Sequence, residues 1–183
     1  MKKTSIKSLL SVLTVLAIVS CVIFSSCKKW VYDDELNDIQ FKKYRYAISD
    51  NDTVSVIGYI EENKVINEIP CASGWVHFTA DMKLKLFCLS ETIEINNVLL
   101  PAGSWIVSNY SDENLIVVFP EDTLIGSFPV KGGGGSKGVQ TSFYDNGNIK
   151  SFFPYQKFEY QGKEYKKSIF NSINLDENGN VVE

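Results

Sequence analysis

The feature that most constrains this chain is an internal repeat. Residues 62–71 align with residues 121–130, which lie 59 positions later. Residues 78–87 align with residues 143–152, which lie 65 positions later. Self-similarity over such distances is typical of architectures built from stacked repeats. The sequence therefore predicts that one structural unit occurs twice in the chain.

The first copy spans residues 59–118 and the second spans residues 119–183. The second copy carries an insertion around residues 132–137, which accounts for the difference between the two offsets. Its run of glycines fails the phosphate-loop pattern and is followed by an expected strand, so we expect a flexible loop there. Each copy divides again into apolar segments about 30 residues apart, near Val65, Ile93, Leu124 and Phe158.

The local pattern of the repeats indicates β-strands. Short runs alternate apolar with polar residues and end at Asn, Asp or Gly, and no long run with the helical period follows the leader. Asn146-Gly147 between two such runs predicts a hairpin with a type I′ turn. Strands are expected at residues 75–79, 83–89, 92–95, 115–119, 140–144 and 157–160.

These elements predict an all-β fold in which tandem β-hairpin repeats stack into an elongated antiparallel sheet. A closed β-barrel or a sandwich is the alternative. Residues 41–60 are expected to form a further hairpin that caps one end, because repeat arrays need protected terminal units. The whole repeat domain then covers residues 41–183.

Residues 142–151 carry a resemblance to a known class of repeat. Their sequence, Ser-Phe-Tyr-Asp-Asn-Gly-Asn-Ile-Lys-Ser, resembles the hairpin unit of MORN-like repeats in bacterial proteins, some of which are antitoxin components. The resemblance implies stacked hairpins, and it also raises an antitoxin-like role. An export segment at the start of the chain argues against a cytosolic toxin as the partner.

That export segment occupies residues 1–26. Residues 1–7 are basic and residues 9–24 are almost continuously apolar, as in a secretory signal. Phe24-Ser25-Ser26-Cys27 resembles the lipobox of bacterial lipoproteins, which implies that Cys27 becomes the lipidated first residue, with palmitate among its acyl chains. Cys21 is the alternative, but Cys27 is favoured because polar lysines follow it.

Residues 27–40 are then expected to be a tether. The expected location is the bacterial cell envelope, at the outer membrane or the cell surface. The side of the membrane that the domain faces stays open. We expect the lipid on the N-terminal cysteine to attach the protein to the membrane.

The charge balance excludes one class of partner. The chain has 18 basic and 22 acidic residues, and the leader contributes Lys2, Lys3 and Lys7 but no acid. The remaining chain is therefore acidic, with scattered lysines, which gives no footprint for nucleic acid.

No residue pattern indicates a catalytic or metal site. His77 is the only histidine, and no nucleophile motif surrounds any serine. Cys71 and Cys88 either form a disulfide or pack as core residues, since their counterparts Val130 and Phe153 are apolar. Glu94 and Glu159 are equivalent and are expected on outward strand faces. We expect no metal and no cofactor.

Aromatic residues in the second copy offer a candidate binding surface. Neighbouring aromatics on a strand point to opposite faces, so one of each pair can be exposed. The candidate residues are Tyr144, Tyr155, Tyr160 and Tyr165.

Together these features predict a non-enzymatic, lipid-anchored binding or scaffold module for an envelope protein or glycan. A purely structural envelope lipoprotein and a hydrolase with an unrecognised carboxylate site are the alternatives.

Overall fold

The computed structural model describes residues 29–48, 54–109 and 114–182. The leader and both candidate lipidation residues, Cys21 and Cys27, lie outside these ranges. Within the described part, no helix has the length and apolar character needed to cross a membrane.

An antiparallel sheet of 11 strands forms the framework of the molecule. Each strand pairs with the next sheet strand along the chain, and the two edge strands do not meet, so the sheet is open and not a closed barrel. In order across the sheet, the strands are β1 (Val31–Leu36), β2 (Ile39–Ile48), β3 (Val54–Ile60), β6 (Gly74–Phe78), β7 (Leu84–Cys88), β10 (Trp105–Asn109), β11 (Asn114–Val118), β14 (Thr141–Phe143), β15 (Ile149–Phe152), β18 (Ile173–Leu175) and β19 (Val181–Val182).

Four short hairpins interrupt this sheet: the first follows the third sheet strand, and each later one follows two further sheet strands. They are β4 (Lys64–Ile66) with β5 (Ile69–Cys71), β8 (Ile93–Ile95) with β9 (Val98–Leu100), β12 (Thr123–Ile125) with β13 (Phe128–Val130), and β16 (Phe158–Tyr160) with β17 (Lys163–Tyr165). We call them the hairpin layer, because their inward side chains join one hydrophobic core with one face of the sheet. The predicted all-β fold of stacked hairpins is confirmed.

Tight turns join the two strands of the hairpins in the hairpin layer. Asn67 and Glu68 both have positive φ, as do Asn96 and Asn97, which is the geometry of a type I′ turn. Asparagine tolerates this conformation better than most residues. The turn between β1 and β2 has the same geometry at Asn37 and Asp38.

The core lies between the hairpin layer and the sheet. Phe41, Phe78, Phe143 and Phe152 are all fully buried there. The ring of Phe128, from the hairpin layer, lies 5.2 Å from the ring of Phe152, from the sheet. Burying large aromatic side chains is the main stabilising contribution in such a layer, about 1.5–3 kcal/mol for each.

Local features of the structure recur at the offsets of the predicted repeat. A β-bulge lies between His77 and Phe78 in β6, and another lies between Ser142 and Phe143 in β14, 65 positions later. The bridge of Cys71 to Leu89 recurs as the bridge of Val130 to Pro154, at the offsets of 59 and 65. The same local geometry therefore forms twice from different side chains.

The hairpin predicted at Asn146-Gly147 is present, but its turn type differs. Only Gly147 has positive φ, at 84°, and its N–H donates to the carbonyl of Tyr144 at 2.9 Å. This is a type I turn followed by a left-handed residue. The turns at Met82 and Gly179 follow the same pattern of hydrogen bonds.

Two sequence expectations need correction. Residues 31–40, which the sequence assigns to the tether, form β1 and the start of β2.

Cys71 and Cys88 are free thiols and Cys71 is buried in the core, which is one of the two alternatives that the sequence left open. Their side chains lie on opposite sides of the sheet plane, since Cys71 bridges Leu89 and neighbouring strand residues alternate in direction. Burial raises the pKa of Cys71 to about 12, and the nearby Cys88 adds to this shift.

The second correction concerns the glycine-rich insertion, which is an ordered segment and not a flexible loop. It contains a 3₁₀ turn (Gly135–Lys137) that contacts β7, β10 and β11. The N–H of Gly132 and the ammonium of Lys131 both donate to the carboxylate of Asp122, at 3.0 and 2.7 Å. Burial alone would raise the pKa of Asp122, but these hydrogen bonds lower it below its usual value.

Candidate binding surfaces

The hairpin layer covers one face of the sheet, and we call the other face the open face. Alternation along the strands places a continuous row of paired residues on it. Each residue in this row is the cross-strand partner of the next: Arg45, Ile57, His77, Leu86, Val107, Ile116, Ser142, Ser151, Asn174 and Val182. The row is apolar or basic from Arg45 to Ile116, is polar at Ser142, Ser151 and Asn174, and ends at the apolar Val182.

The neighbouring row adds aromatic rings in the first copy. Lys43 pairs with Tyr59, and Tyr59 pairs with Trp75. The rings of Tyr59 and Trp75 meet edge to face, with 5.4 Å between their centroids. The ammonium of Lys43 lies 5.1 Å from the centroid of Trp75, within the range of a cation–π contact. Trp75 is 39% exposed, which is high for a tryptophan on a strand within the sheet.

We call Lys43, Arg45, Tyr59, Trp75 and His77 the basic-aromatic patch. Burial lowers the pKa of His77, and the positive charges of Lys85 and Arg45 lower it further. The imidazole is therefore neutral at pH 7, and the fixed positive charges of the patch come from lysine and arginine.

The open face of the second copy has a different character. The hydroxyl groups of Ser142 and Ser151 are hydrogen-bonded to each other at 2.6 Å. The glycine-rich segment of the second copy lies over part of the open face of the first copy, where an added Cβ on Gly138 would lie 2.6 Å from Cγ1 of Val118. Val118 is only 1% exposed as a result.

A concave feature lies at the C-terminal end of the sheet. This cavity of about 540 Å³ is bounded by β17, by the connection of residues 166–172, and by β18 and β19. Three lysines line it, Lys163, Lys166 and Lys167, and none of the lining residues that the structure describes carries a carboxylate. We call it the basic cavity.

The four candidate tyrosines make different contacts within the fold. Tyr144 donates its hydroxyl to the carbonyl of Leu175, and Tyr160 donates to the carbonyl of Gly179, both at 2.8 Å. Tyr155 donates its backbone N–H to the carbonyl of Pro129. Of the four, only Tyr165 lines the basic cavity. Their role in binding stays a prediction.

The residues considered for chemistry are dispersed. Glu94 and Glu159 are both exposed on the outer side of the hairpin layer, in two different hairpins. His77 faces the opposite side of the molecule. Among the residues that the structure describes, no group of three or more His, Cys, Asp or Glu side chains is placed to hold a metal ion.

Sequence reasoning missed the basic-aromatic patch. The alternation of β3 and β6 is visible in the sequence, but the face that the hairpin layer covers is decided by tertiary packing. The one available signal was the difference between equivalent positions, since Trp75 corresponds to Gln140 and His77 to Ser142.

Comparison with protein-family models, with curated proteins and with solved structures finds no match to this chain. The fold itself defines the chain as an all-β protein of tandem hairpin repeats. Its function must be inferred from its own residues and their geometry.

Proposed function

We propose that this chain is a lipid-anchored, non-enzymatic binding module of the bacterial cell envelope, and that its basic-aromatic patch docks an acidic segment of a protein partner. The observation that carries the proposal is the cluster of Lys43, Tyr59 and Trp75 on a sheet face that the hairpin layer leaves uncovered. Tyrosine, tryptophan and arginine, which the patch contains at Tyr59, Trp75 and Arg45, are enriched at the centres of protein interfaces.

The repeat supports this proposal, because the fold does not require the patch. Trp75, His77 and Leu86 correspond to Gln140, Ser142 and Ser151 in the second copy, which has the same strands and the same bulge. The second copy folds with polar residues at these positions. The fold therefore does not need a tryptophan at position 75, and stability does not explain why the first copy exposes one.

Charge favours an acidic partner. Lys43 and Arg45 lie on one strand of the patch. Lys85 lies close to His77, and its positive charge lowers the pKa of His77 further than burial alone does. On a chain with more acidic than basic residues, such a local excess of positive charge is complementary to carboxylates.

The ring geometry favours a protein over a neutral glycan. Sugars stack on an open aromatic face, but Lys43 lies over the ring of Trp75 and Tyr59 meets the same ring at its edge. A nearly flat patch of half-buried side chains suits the broad contact of a protein surface.

The test compares side-chain variants of the full chain, in which one residue has its charge reversed or is shortened to alanine. Each variant is expressed in cells, crosslinked, and purified together with the proteins that are crosslinked to it. We expect one stoichiometric protein with an acidic segment in the crosslinked peptide. We expect Lys43→Glu and Trp75→Ala to reduce its recovery at least tenfold, while Lys150→Glu, which lies by Tyr144 in the second copy, leaves it unchanged. Equal recovery from all variants would contradict the proposal and favour a purely structural lipoprotein.

The anchor is a separate part of the proposal. The basic start, the apolar run of residues 9–24 and the small residues before Cys27 support lipidation at that cysteine. The resemblance to MORN-like repeats also agrees with an exported hairpin-repeat protein. Metabolic labelling with a palmitate analogue tests it: Cys27→Ser should remove the label and Cys21→Ser should retain it. The reverse result would move the anchor to Cys21.

A further inference from the structure

The connection between β17 and β18, residues 166–172, carries two exposed apolar side chains. Ile169 is 52% exposed and Phe170 is 87% exposed. We call these two residues the apolar tip. We propose that the apolar tip inserts into the surface of a lipid bilayer that contains anionic lipid. This contact rests on the proposed location of the chain at a membrane, but not on the docking of a protein on the open face.

The exposure of two neighbouring apolar side chains is the first support. Single apolar side chains are common on protein surfaces, whereas contiguous exposed apolar surface marks an interaction site. In the part of the chain that the structure describes, the other exposed large hydrophobic side chains have no such neighbour in sequence: Tyr32, Tyr46, Val65, Trp75, Leu99, Leu124 and Val182. The apolar tip therefore differs in kind from the rest of the exposed apolar surface.

An ordered turn presents the apolar tip. The hydroxyl oxygen of Ser168 accepts the backbone N–H groups of Phe170 and Asn171, at 3.2 and 2.8 Å. The N–H of Ser168 donates to the carbonyl of Pro154 at 3.2 Å, which ties the connection to the segment that follows β15. Because the turn is already formed, insertion needs little further ordering of the backbone.

Charge favours a bilayer that contains anionic lipid. Lys166 and Lys167 are both exposed, and they directly precede the turn. The positive charge of Lys167 also helps to lower the pKa of Asp122, so the charge argument depends mainly on Lys166. A lysine a few residues from an inserted apolar side chain lies at the level of the headgroups, where anionic lipid attracts it.

The size of the apolar tip favours a bilayer over a protein partner. A stable protein interface buries about 800 Å² on each partner, whereas one buried phenylalanine contributes about 150–250 Å². Polar residues flank the tip on both sides, at Ser168 and Asn171. Two side chains are too few for a protein interface, but binding to a bilayer surface strengthens with each apolar group inserted.

The other connections show that the fold does not require the apolar tip. Residues 72–73, 101–104 and 131–140 also lead from the hairpin layer back to the sheet. None of these three segments contains two neighbouring large apolar residues. The sheet is therefore built three times without an exposed apolar pair, and the pair at residues 169–170 is not explained by folding.

Photo-crosslinking of the full chain in cells tests the proposal, with a photoreactive residue in place of Phe170. The matched position is Val65, which is 73% exposed in β4. We expect at least tenfold more membrane-lipid adduct from position 170 than from position 65, with anionic lipids enriched over their share of the membrane. A protein as the main product at position 170, no adduct there, or equal lipid adducts at both positions would overturn the proposal. Adducts without that enrichment would overturn the preference for anionic lipid.

Variants in the same assay test the chemistry of the tip. Ile169→Ser and Lys166→Glu should each reduce the lipid adduct at position 170 at least fivefold. Lys137→Glu makes the same charge change in the glycine-rich segment and should leave the adduct unchanged. Equal yields from all three variants would overturn the proposal. Palmitate labelling of the same cells measures the anchor separately: a labelled chain without lipid adducts at position 170 contradicts the tip alone, and an unlabelled chain contradicts the anchor.

Discussion

The two copies of the repeat share a core face and differ in their open faces. Phe78, Leu84 and Phe87 in the first copy correspond to Phe143, Ile149 and Phe152 in the second, and all six are buried. On the open face, by contrast, Leu86 corresponds to Ser151. The core side of each unit is constrained by packing against the hairpin layer. The open side is not, so the difference there indicates where a specific function can lie.

The strand before the first copy differs from its counterpart at one core position. Gly58 in β3 lies against Phe41, and an added Cβ on Gly58 would come within 2.3 Å of that ring. At the offset of 59, Val117 in β11 takes the place of Gly58, and it is fully buried. Glycine therefore leaves room in β3 for the ring of Phe41.

The largest expected effect comes from filling the space that Gly58 leaves for Phe41. Gly58→Val should destabilise the protein by about 3 kcal/mol, because the ring of Phe41 is buried and cannot move aside. Adding Phe41→Leu, which removes ring atoms that the new side chain would meet, should recover at least half of the loss. Urea denaturation measures both, and a double variant that shows only the sum of the single losses would contradict a direct contact between the two positions.

A smaller effect is expected at the insertion that only the second copy carries. A Cβ on Gly138 would lie 2.0 Å from the backbone oxygen of Gly133. We expect Gly138→Ala to cost about 2 kcal/mol, because backbone atoms must shift. Gly133→Ala is the control, since its Cβ meets nothing within 4 Å and its positive φ of 86° is the only strain. If urea denaturation shows the control to be the more costly variant, the segment does not pack on the sheet as described.

Exchanging one buried residue between copies should stabilise the protein. Thr141 is fully buried, and no protein group in the described part pairs with its hydroxyl, whereas the first copy has Val76 at this position. Thr141→Val should raise the free energy of unfolding by about 1 kcal/mol. Thr79→Val should instead lower it, because the hydroxyl of Thr79 accepts the N–H of Lys83 at 3.1 Å. A loss of stability in Thr141→Val would show that its hydroxyl is satisfied.

The smallest effect concerns the single histidine. Burial, with Lys85 and Arg45, holds the folded-state pKa of His77 below the ordinary value of 6.5. The unfolded chain therefore binds more protons as the pH falls, so the free energy of unfolding decreases below pH 6.5. His77→Ser, which installs the residue of the second copy, should remove this component between about pH 7.5 and pH 5.5. An unchanged pH dependence in urea midpoints would refute the assignment.

Much of the fold was predictable because the residues that repeat along the sequence are mainly those that face the core. Alternation and turn residues located the strands near residues 75–79 and 140–144, and the bulges confirm the offset of 65. Strand β1 was missed because Asp33, Asp34 and Glu35 are exposed on an edge strand and give no apolar alternation. The glycine-rich segment was misjudged because its order depends on contacts with Asp122 and Val118, which are made only after folding.

The candidate binding surfaces were harder to predict from the sequence. The aromatic-rich stretch drew attention to Tyr144 and Tyr160, whose hydroxyls donate to backbone carbonyls within the fold. The patch around Trp75 depends on which sheet face the hairpin layer covers, and the basic cavity depends on where the sheet ends. Neither is a property of local sequence.

The most direct test of the central claim is photo-crosslinking in cells at the equivalent positions Leu86 and Ser151, each replaced in turn by a photoreactive residue. Both lie on the open face, and both follow the same bulge in their copies. The account predicts one dominant crosslinked protein from position 86 and none from position 151, with the product from position 86 lost in the Lys43→Glu background. The same product from both positions, or no dependence on Lys43, would contradict it.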